Sequence, residues 1–578
     1  MTSQIPPPSP AKGLFLGSID ESTLFPFPQI KTEEQETVRL VLDSITKFME
    51  QRGEEYREHD RKGAQPEEYL QELRELGLFG IIIPEEYGGL GLSNSAYSRV
   101  LQQTSRYDGS TSLTIGAHSS IGMKGLLLFG NADQRSRYLP KLASGETIAA
   151  FCLTEPGSGS DAASVKTSAK KQPDESWVLD GEKIWITNGA FAGFFTVFAR
   201  TDSEGGKLSA FIVERGFQGV STGPKEDKMG IRASATTTVR FDGVRIPAAN
   251  LLGEEGQGFR IAMAILNNGR TGLGGGTVGA MKRCIALASE YAGSRKQFGR
   301  PIAEFGLVQE MIARMTVACF ATESVVSMVG SLIDRNIPDY SVEAAISKIF
   351  ASEALWQTAN DALQIAGGNG FMREYPYELI VRDSRINLIF EGTNQILRLY
   401  VALSGFKDAG EYLKEIGKGA SSIFNDPIKG FGLLSGYAGR KLRQMSPLRE
   451  GIPSLPAELH DEGAVMQYYT TWLSRACEAV LRKYGKDIIG RQFVSQRIAN
   501  VAIDLFVGVS VLSRVAGVVN AQGATLSQDE LRIAKIFTQQ AKRRMNQNLR
   551  RIERDEDNWM SELSNSVVKT RGYRWDTI

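Results

Sequence analysis

The stretch FCLTEPGSGSD, residues 151–161, lies where the sequence changes from a helical to a strand-like pattern. Before it, from Lys31 to about Gly145, apolar residues recur at helical spacing. After it, to about Gly258, short strand-like runs are separated by turn dipeptides. Because no strand alternates with a long helix, the pattern disfavours a parallel dinucleotide-binding sheet. The stretch therefore marks the start of a β-sandwich or β-barrel domain that follows a helical region.

The β region is bounded by helical sequence on both sides. Its predicted strands are Ser176–Leu179, Lys183–Thr187, Phe194–Ala199, Leu208–Val213 and Thr236–Phe241. Its predicted turns are Asp180-Gly181, Asn188-Gly189 and Asp242-Gly243. Helical periodicity returns from Phe259 to about Leu403, and a further mostly helical block runs to Ile578. The sequence predicts a mainly α protein with a central β domain.

Composition excludes several classes of protein. At 578 residues, the chain is long enough for three to four domains. Its 67 Lys and Arg nearly cancel its 66 Asp and Glu, so no global positive field exists to bind a nucleic-acid backbone. The 4 cysteines form no CxxC pair and the 3 histidines form no cluster, so we expect no metal site.

The N-terminal sequence MTSQIPPPSPAK contains several prolines and no apolar core of a signal peptide. We expect residues 1–30 to form a loose arm. We also expect a cytoplasmic location in a bacterium, with peripheral contact at the inner membrane, or a mitochondrial one for a processed eukaryotic chain. The apolar stretch Val501–Ala521 carries Asp504 and Arg514, which favours a helix buried in a bundle over a membrane span.

Three glycines, Gly274, Gly276 and Gly279, match the spacing of a dinucleotide-binding loop. That loop requires a strand before the glycines, whereas the preceding residues 261–268 have a helical pattern. The glycines therefore indicate close packing between helices.

Residues 151–161 and the later segment Trp185–Gly189 have two interpretations each. Small residues and backbone donors in the first can approach a flat ring or a phosphate closely, and a plain surface turn has the same composition. A tryptophan and a threonine in the second can bracket an aromatic ring, and a β core also favours tryptophan.

Taken together, these two segments resemble the flavin-binding β domain of acyl-CoA dehydrogenases. Three later segments also resemble that family: Arg295-Lys-Gln-Phe298-Gly-Arg-Pro301, Gln364-Ile-Ala-Gly367-Gly368-Asn-Gly370-Phe371 and Phe390-Glu391-Gly392-Thr393-Asn394-Gln395. The resemblance runs from about Leu40 to Leu403. The long C-terminal block is similar to that of the very-long-chain branch, as are Gly116-Ala-His118 and Leu266-Asn-Asn-Gly-Arg270.

The resemblance implies an acyl-CoA dehydrogenase-like fold with an extra C-terminal helical domain. The implied divisions are an arm at 1–30, a helical domain at 31–147, a flavin-binding β domain at 148–258, a helical bundle carrying the base at 259–403 and a helical extension at 404–578. FAD would contact Phe151, Leu153, Thr154, Ser160, Trp185, Ile186, Thr187, Arg295, Phe298, Gln364, Gly367, Gly368, Thr393 and Gln395. Acyl-CoA would contact Ser112, Gly116, Ser160, Asn267, Arg270, Phe390 and Gly392.

Glu391 is the expected catalytic base. It follows the apolar run Leu388-Ile389-Phe390, where desolvation would raise the pKa of its carboxyl. From the residues alone, a first-turn glutamate stabilised by a helix dipole is the favoured interpretation, because glutamate is common in the first turn of helices. The resemblance implies that Glu391 removes the α-proton of a long- or very-long-chain acyl-CoA while the β-hydrogen leaves as hydride to the flavin. The product is a trans-2-enoyl-CoA, as in the first step of fatty acid β-oxidation.

The resemblance further implies a homodimer and electron transfer to an electron-transfer flavoprotein. Two alternatives remain: an acyl-CoA oxidase that uses oxygen, and an assembly or scaffold protein without turnover. A separate feature is the segment 429–449, which holds five cations, several apolar residues and no acid. This pattern predicts peripheral contact with an anionic membrane surface. A solvated loop that packs on the dimer is the alternative, and charge runs in general favour it slightly.

Overall fold

The computed structural model describes residues 9–201, 206–422 and 451–577. The chain forms two compact units, Pro28–Asn394 and Met1–Phe27 together with Gln395–Ile578. The segment predicted to contact membranes, 429–449, lies outside the described residues.

Helices dominate both units, and the strands are confined to the larger one. The helices are α1 (Pro10–Phe15), α2 (Glu21–Leu24), α3 (Thr32–Arg52), α4 (Glu55–Lys62), α5 (Glu67–Glu75), α6 (Asn94–Ser105), α7 (Gly109–Gly116), α8 (Lys124–Phe129), α9 (Ala132–Ala143), α10 (Gly258–Ser294), α11 (Gly306–Asp334), α12 (Ser341–Ala366), α13 (Gly368–Phe371), α14 (Tyr377–Ser384), α15 (Asn394–Ser422), α16 (His460–Tyr484), α17 (Gln492–Gln522), α18 (Gln528–Arg550) and α19 (Glu556–Thr570). The strands are β1 (Ala149–Cys152), β2 (Ser168–Lys171), β3 (Trp177–Thr187), β4 (Phe194–Thr201), β5 (Leu208–Glu214), β6 (Val220–Lys225), β7 (Thr236–Ile246), β8 (Leu251–Leu252), β9 (Lys296–Gln297) and β10 (Arg300–Pro301).

The β domain is one sheet in the order β6-β7-β3-β2-β4-β5-β8, and β1 pairs in parallel with β4. Along β4, Phe194 and Phe198 face a core shared with the flanking helices, while Phe195 and Val197 face the opposite side. Because both faces of β4 are covered, its sequence is an almost continuous apolar run.

Two of the three predicted turns in the β region are wrong. Asp180-Gly181 lies inside β3 and Asp242-Gly243 lies inside β7, so each strand is longer than predicted. The chain does not reverse at either pair. Instead, a β-bulge between Leu179 and Gly181 shifts the register of β3 against β7. The Gly243 N–H donates to the Asp180 carboxylate there, at 2.8 Å. The third prediction is confirmed, since Asn188-Gly189 forms a turn after β3.

The glycine-rich part of α10 confirms the prediction of close helix packing. A Cβ placed on Gly275 would lie 2.7 Å from the carbonyl oxygen of Ser98 in α6, and one on Gly279 would collide with the carbonyl of Gln102. The same face of α10 therefore fixes how closely α6 approaches it.

In the smaller unit, the predicted buried helix is α17. Val501, Leu505 and Leu512 are fully buried, and Asp504 forms an ion pair with Arg544 of α18 at 2.7 Å. Among the described helices, α11 and α17 are long and apolar enough to cross a membrane, but 67% and 83% of their most apolar stretches are buried by the protein itself. Packing within the chain accounts for their composition.

The prediction of a loose N-terminal arm is wrong for the described residues from Ser9 onward. Leu14 and Phe15 of α1 are buried, and α1 packs on α16 and α17. The Ser513 hydroxyl of α17 donates to the carbonyl of Leu24 at 2.6 Å. The proline-rich sequence is thus followed by a short, mostly buried helix that belongs to the core of the smaller unit.

Candidate active site

Glu391 lies in the short turn between a 3-10 segment, Arg385–Leu388, and α15. Its backbone is left-handed, with φ of +54°, and Gly392 follows with φ of +96°. A left-handed glutamate is strained and persists only where its surroundings impose it. Its Oε2 atom is buried and accepts no hydrogen bond from a described residue. Such a strained, solvent-shielded carboxylate is typical of an active-site group.

The electrostatics of Glu391 suit a base that works near neutral pH. Burial raises the pKa of its carboxyl to about 7, while the positive charges of Arg270 and Lys348 act in the opposite direction. Arg270 is buried, donates from Nε to the Glu391 carbonyl at 3.3 Å and from Nη1 to the Asn267 side chain at 2.6 Å. The structure thus brings together three of the predicted residues, Glu391, Arg270 and Asn267.

Helix α10 forms one wall beside the base. A Cβ placed on Gly269 would lie 3.3 and 3.4 Å from the two carboxylate oxygens of Glu391 and 2.6 Å from a methyl group of Ile121. Ile121 belongs to a π-helical turn, Ala117–Gly122, in which Ser120 shares a 2.8 Å hydrogen bond with the Tyr97 hydroxyl. This turn and Gly269 were not among the site residues predicted from the sequence, although π-helical turns are frequent at functional sites.

The predicted flavin-binding residues of the β domain meet at the ends of β1 and β3. The Ile184 N–H donates to the Thr154 carbonyl at 3.0 Å, which places the loop after β1 beside the end of β3. Trp185 is left-handed, with φ of +57°, and its side chain is 64% exposed. The residues brought together at this edge are Phe151, Leu153, Thr154, Trp185, Ile186 and Thr187, with Ser160 in the loop that follows β1.

This edge fits a planar, phosphate-bearing cofactor such as a flavin. Apart from each glycine and its chain neighbours, no atom of the described residues lies within 4 Å of a Cβ built on Gly157 or Gly159, so a ligand has room to approach the loop backbone. An exposed indole at the end of a buried strand offers a flat face to a ring. The nearby Thr187 hydroxyl is a hydrogen-bond donor or acceptor.

A second group of predicted flavin residues lies elsewhere on the surface of the same unit. Phe298, at the tip of the β9–β10 hairpin, is 95% exposed with φ of +52°. Arg295 and the residues that end α12, Gln364, Gly367 and Gly368, are also exposed. Among the described residues, no hydrogen bond or ion pair joins this group to Trp185 or Glu391.

The remaining residues predicted to contact FAD or acyl-CoA lie in two places, the turn around Glu391 and helix α7. Phe390 and Thr393 flank Glu391 and Gly392, and Gln395 is exposed in the first turn of α15. In α7, the Ser112 hydroxyl donates to the Leu101 carbonyl at 3.4 Å. Outside its own helix, a Cβ on Gly116 would meet only the Leu101 side chain among the described residues, at 3.9 Å, so there is space beside it.

One further residue of the site, Lys348, was not predicted from the sequence. Lys348 of α12 donates to the Gly392 carbonyl at 2.8 Å and to the Asn394 side chain at 2.9 Å. The sequence did contain a signal for it: a single cation stands within the mostly apolar stretch VEAAISKIF, residues 342–350. A lysine in a segment expected to be buried needs a partner, and this indicates a specific role.

Four family models match the chain. Those described as acyl-CoA dehydrogenase N-terminal, middle and C-terminal domains match residues 32–146, 150–244 and 256–405. One described as the ACAD9/ACADV C-terminal domain matches residues 457–573.

Full-length relatives agree. The very long-chain specific acyl-CoA dehydrogenase of Bos taurus is 45% identical over 94% of this chain and 84% of its own length. The Homo sapiens enzyme of that name is 44% identical over 96% of this chain and 85% of its own. The crystal structure of an acyl-CoA dehydrogenase complexed with FAD from Bacillus anthracis superposes with a TM-score of 0.81 at 34% identity, over 95% of this chain and 94% of that one. The chain therefore belongs to the acyl-CoA dehydrogenase family and is similar to its very-long-chain members over most of its length.

Proposed function

We propose that this chain is an FAD-dependent dehydrogenase that converts long- or very-long-chain acyl-CoA into trans-2-enoyl-CoA. The observation that carries the proposal is the strained, half-buried Glu391, whose Oε2 atom is shielded from solvent and whose pKa is raised to about 7 beside Arg270. A carboxyl with that pKa is largely ionised at slightly alkaline pH and can take up a proton without a large penalty.

In this mechanism, the ionised Glu391 removes the α-proton of the thioester. The backbone N–H of Glu391 donates to the thioester carbonyl oxygen, where negative charge develops. Arg270, held by its hydrogen bond to Asn267, orients the thioester end of the substrate. Phe390 and Gly392 border this end, and exclusion of water strengthens each of these interactions.

FAD supplies the two-electron oxidation when it is bound. Trp185 and Thr187 would hold its ring, and the loop containing Ser160 and the turn containing Thr393 would contact it. The exposed Arg295 provides a bidentate grip for a pyrophosphate. By resemblance to the family, the exposed residues Arg295, Phe298, Gln364, Gly367 and Gly368 serve the FAD of a second subunit, and the protein is a homodimer.

Several further predictions complete this proposal. The electron acceptor is an electron-transfer flavoprotein, and the location is the bacterial cytoplasm or the mitochondrion. Segment 429–449 contacts anionic membranes at their surface. The domain divisions at residues 31, 148, 259 and 404 separate the helical, β, bundle and extension parts of the chain.

Anaerobic mixing of the FAD-loaded protein with palmitoyl-CoA tests the proposed reaction. We expect bleaching of the flavin absorbance and one trans-2-enoyl-CoA per flavin. Subsequent mixing with air separates a dehydrogenase, whose reduced flavin reoxidises slowly, from an oxidase. An FAD-loaded protein whose absorbance does not change with any acyl-CoA from C8 to C20 would contradict the proposal.

A further inference from the structure

Lys348 is a buried cation beside the active-site turn. It lies in the middle of α12, its side chain is 0% exposed, and an ammonium at such a place is costly unless hydrogen bonds compensate it. Its Nζ atom donates to the Gly392 carbonyl at 2.8 Å and to Oδ1 of Asn394 at 2.9 Å. Both acceptors belong to the turn that carries Glu391.

These hydrogen bonds act on a backbone that needs support. Glu391 and Gly392 are consecutive left-handed residues, and Lys348 holds the second of them by its carbonyl. Asn394 is fixed as well, because its amide donates to the Ser352 hydroxyl at 3.0 Å and to the Glu353 carboxylate at 3.1 Å. Lys348 and Ser352 are four residues apart and share one face of α12. One helix face therefore clamps the end of the turn.

The opposite side of the turn is held by a different helix. Arg270 of α10 donates to the Glu391 carbonyl, so the two peptide groups around Gly392 are each held by a cation from a separate helix. A carboxylate on a strained turn keeps its direction only if its backbone is fixed in this way.

We propose that Lys348 is a positioning residue for the base: it locks the Glu391–Asn394 turn and so aims the Glu391 carboxylate at the α-carbon of the substrate. This inference rests on the proposed function of Glu391. It adds a charge effect to the geometric one, because the Lys348 ammonium is among the groups that favour the ionised form of Glu391. Loss of that charge moves the pKa of Glu391 upward.

The test compares Lys348→Met, which removes both charge and donors, with Lys348→Arg, which keeps them. Ser347→Ala is the matched control, since Ser347 is the neighbouring, equally buried residue of α12 and has no hydrogen-bond partner among the described residues for its hydroxyl. If Lys348→Met does not fold, Lys348→Gln replaces it, because its amide still donates but carries no charge.

Two readouts are needed. The first is the rate constant of flavin reduction by palmitoyl-CoA as a function of pH, together with the dissociation constant of hexadecenoyl-CoA. The second is an infrared titration of the Glu391 carboxyl in the absence of substrate, identified by its loss in Glu391→Gln. The infrared titration does not require turnover, so it decides the role of Lys348 even if the proposed reaction fails.

For Lys348→Met, we expect flavin reduction to fall at least about tenfold while product binding changes less than about twofold, since orientation affects the chemical step more than binding. Both titrations should move to higher pH. Lys348→Arg should recover most of the rate and the wild-type titration, and Ser347→Ala should match wild type in both. A folded Lys348→Met that matches wild type in both flavin reduction and infrared titration would overturn the inference. If wild type itself does not reduce flavin, an unchanged infrared titration of Lys348→Met, or of Lys348→Gln where Lys348→Met does not fold, would overturn it.

Discussion

At the scale of single residues, the pKa of the Glu391 carboxyl is set by two opposing effects, burial and the positive charges of two nearby side chains. Burial raises the pKa of Glu391 to about 7, and Arg270 and Lys348 oppose that shift. The sequence identified Glu391 and Arg270 through their resemblance to family segments. It did not identify Lys348, because the contact is formed between residues 44 apart, in α12 and in the turn after α14.

The same pKa predicts the pH dependence of the reaction. The ionised carboxylate is the active form, so the rate constant of flavin reduction should rise with pH and level off above about 7. Below that pH, it should fall about tenfold per unit as Glu391 becomes protonated. Stopped-flow measurements of flavin reduction by palmitoyl-CoA, from about pH 5.5 to about pH 9 at fixed ionic strength, check this pH dependence. A rate that is independent of pH over this range would exclude Glu391 as the titrating base.

At the scale of elements, the sequence predicted the helix packing and the strands β3, β4, β5 and β7, but it did not predict β1, β2, β6 and β8 and it misplaced two chain reversals. Asp-Gly pairs favour turns and also β-bulges, and only the pairing of β3 with β7 decides between them. The glycines of α10 were interpretable because helical pattern extends on both sides of them. The short helix α1 was missed because local proline content says nothing about its tertiary contacts with α16.

Two glycines one turn apart on α10 offer a matched test of this packing. Gly279→Ala should lower the melting temperature by several degrees, because its Cβ would collide with the Gln102 carbonyl. Gly276→Ala should be neutral or stabilising by up to about 1 kcal/mol, since its Cβ would meet only the Ser112 hydroxyl, at 3.5 Å, and alanine favours the helix. Calorimetry on both variants checks the order. Equal melting temperatures would show that α6 and α10 are not closely packed there.

Residues of helix α7 should influence which acyl chain length the enzyme prefers as substrate. The space beside Gly116 suggests room for a long chain, and each buried CH₂ contributes about 0.8 kcal/mol. Gly116→Glu should therefore reduce kcat/KM for palmitoyl-CoA much more than for octanoyl-CoA, measured with an artificial electron acceptor. The octanoyl-CoA value serves as the internal control. An unchanged ratio of the two would place the acyl chain elsewhere.

At the scale of the whole molecule, the exposed residues of the β9–β10 hairpin predict an interface. Phe298→Asp should produce a monomer that has lost most of its FAD, because an apolar tip that is 95% exposed is replaced by a charge. Leu526→Asp is the control, since Leu526 is 72% exposed in the smaller unit and has no proposed role in binding FAD. Sedimentation velocity and flavin absorbance report both properties. A monomeric Phe298→Asp that retains FAD and activity would refute the shared site.

The central claim, that Glu391 is the base of an acyl-CoA dehydrogenase, is tested most directly by anaerobic stopped-flow absorbance of Glu391→Gln mixed with palmitoyl-CoA. The amide is nearly the same size as the carboxyl, so the variant should retain FAD and bind palmitoyl-CoA about as tightly as wild type. Flavin bleaching should slow by at least about a hundredfold, the usual effect of losing a general base. Bleaching within about tenfold of the wild-type rate would contradict the assignment, because a reaction that loses its general base slows by more than that.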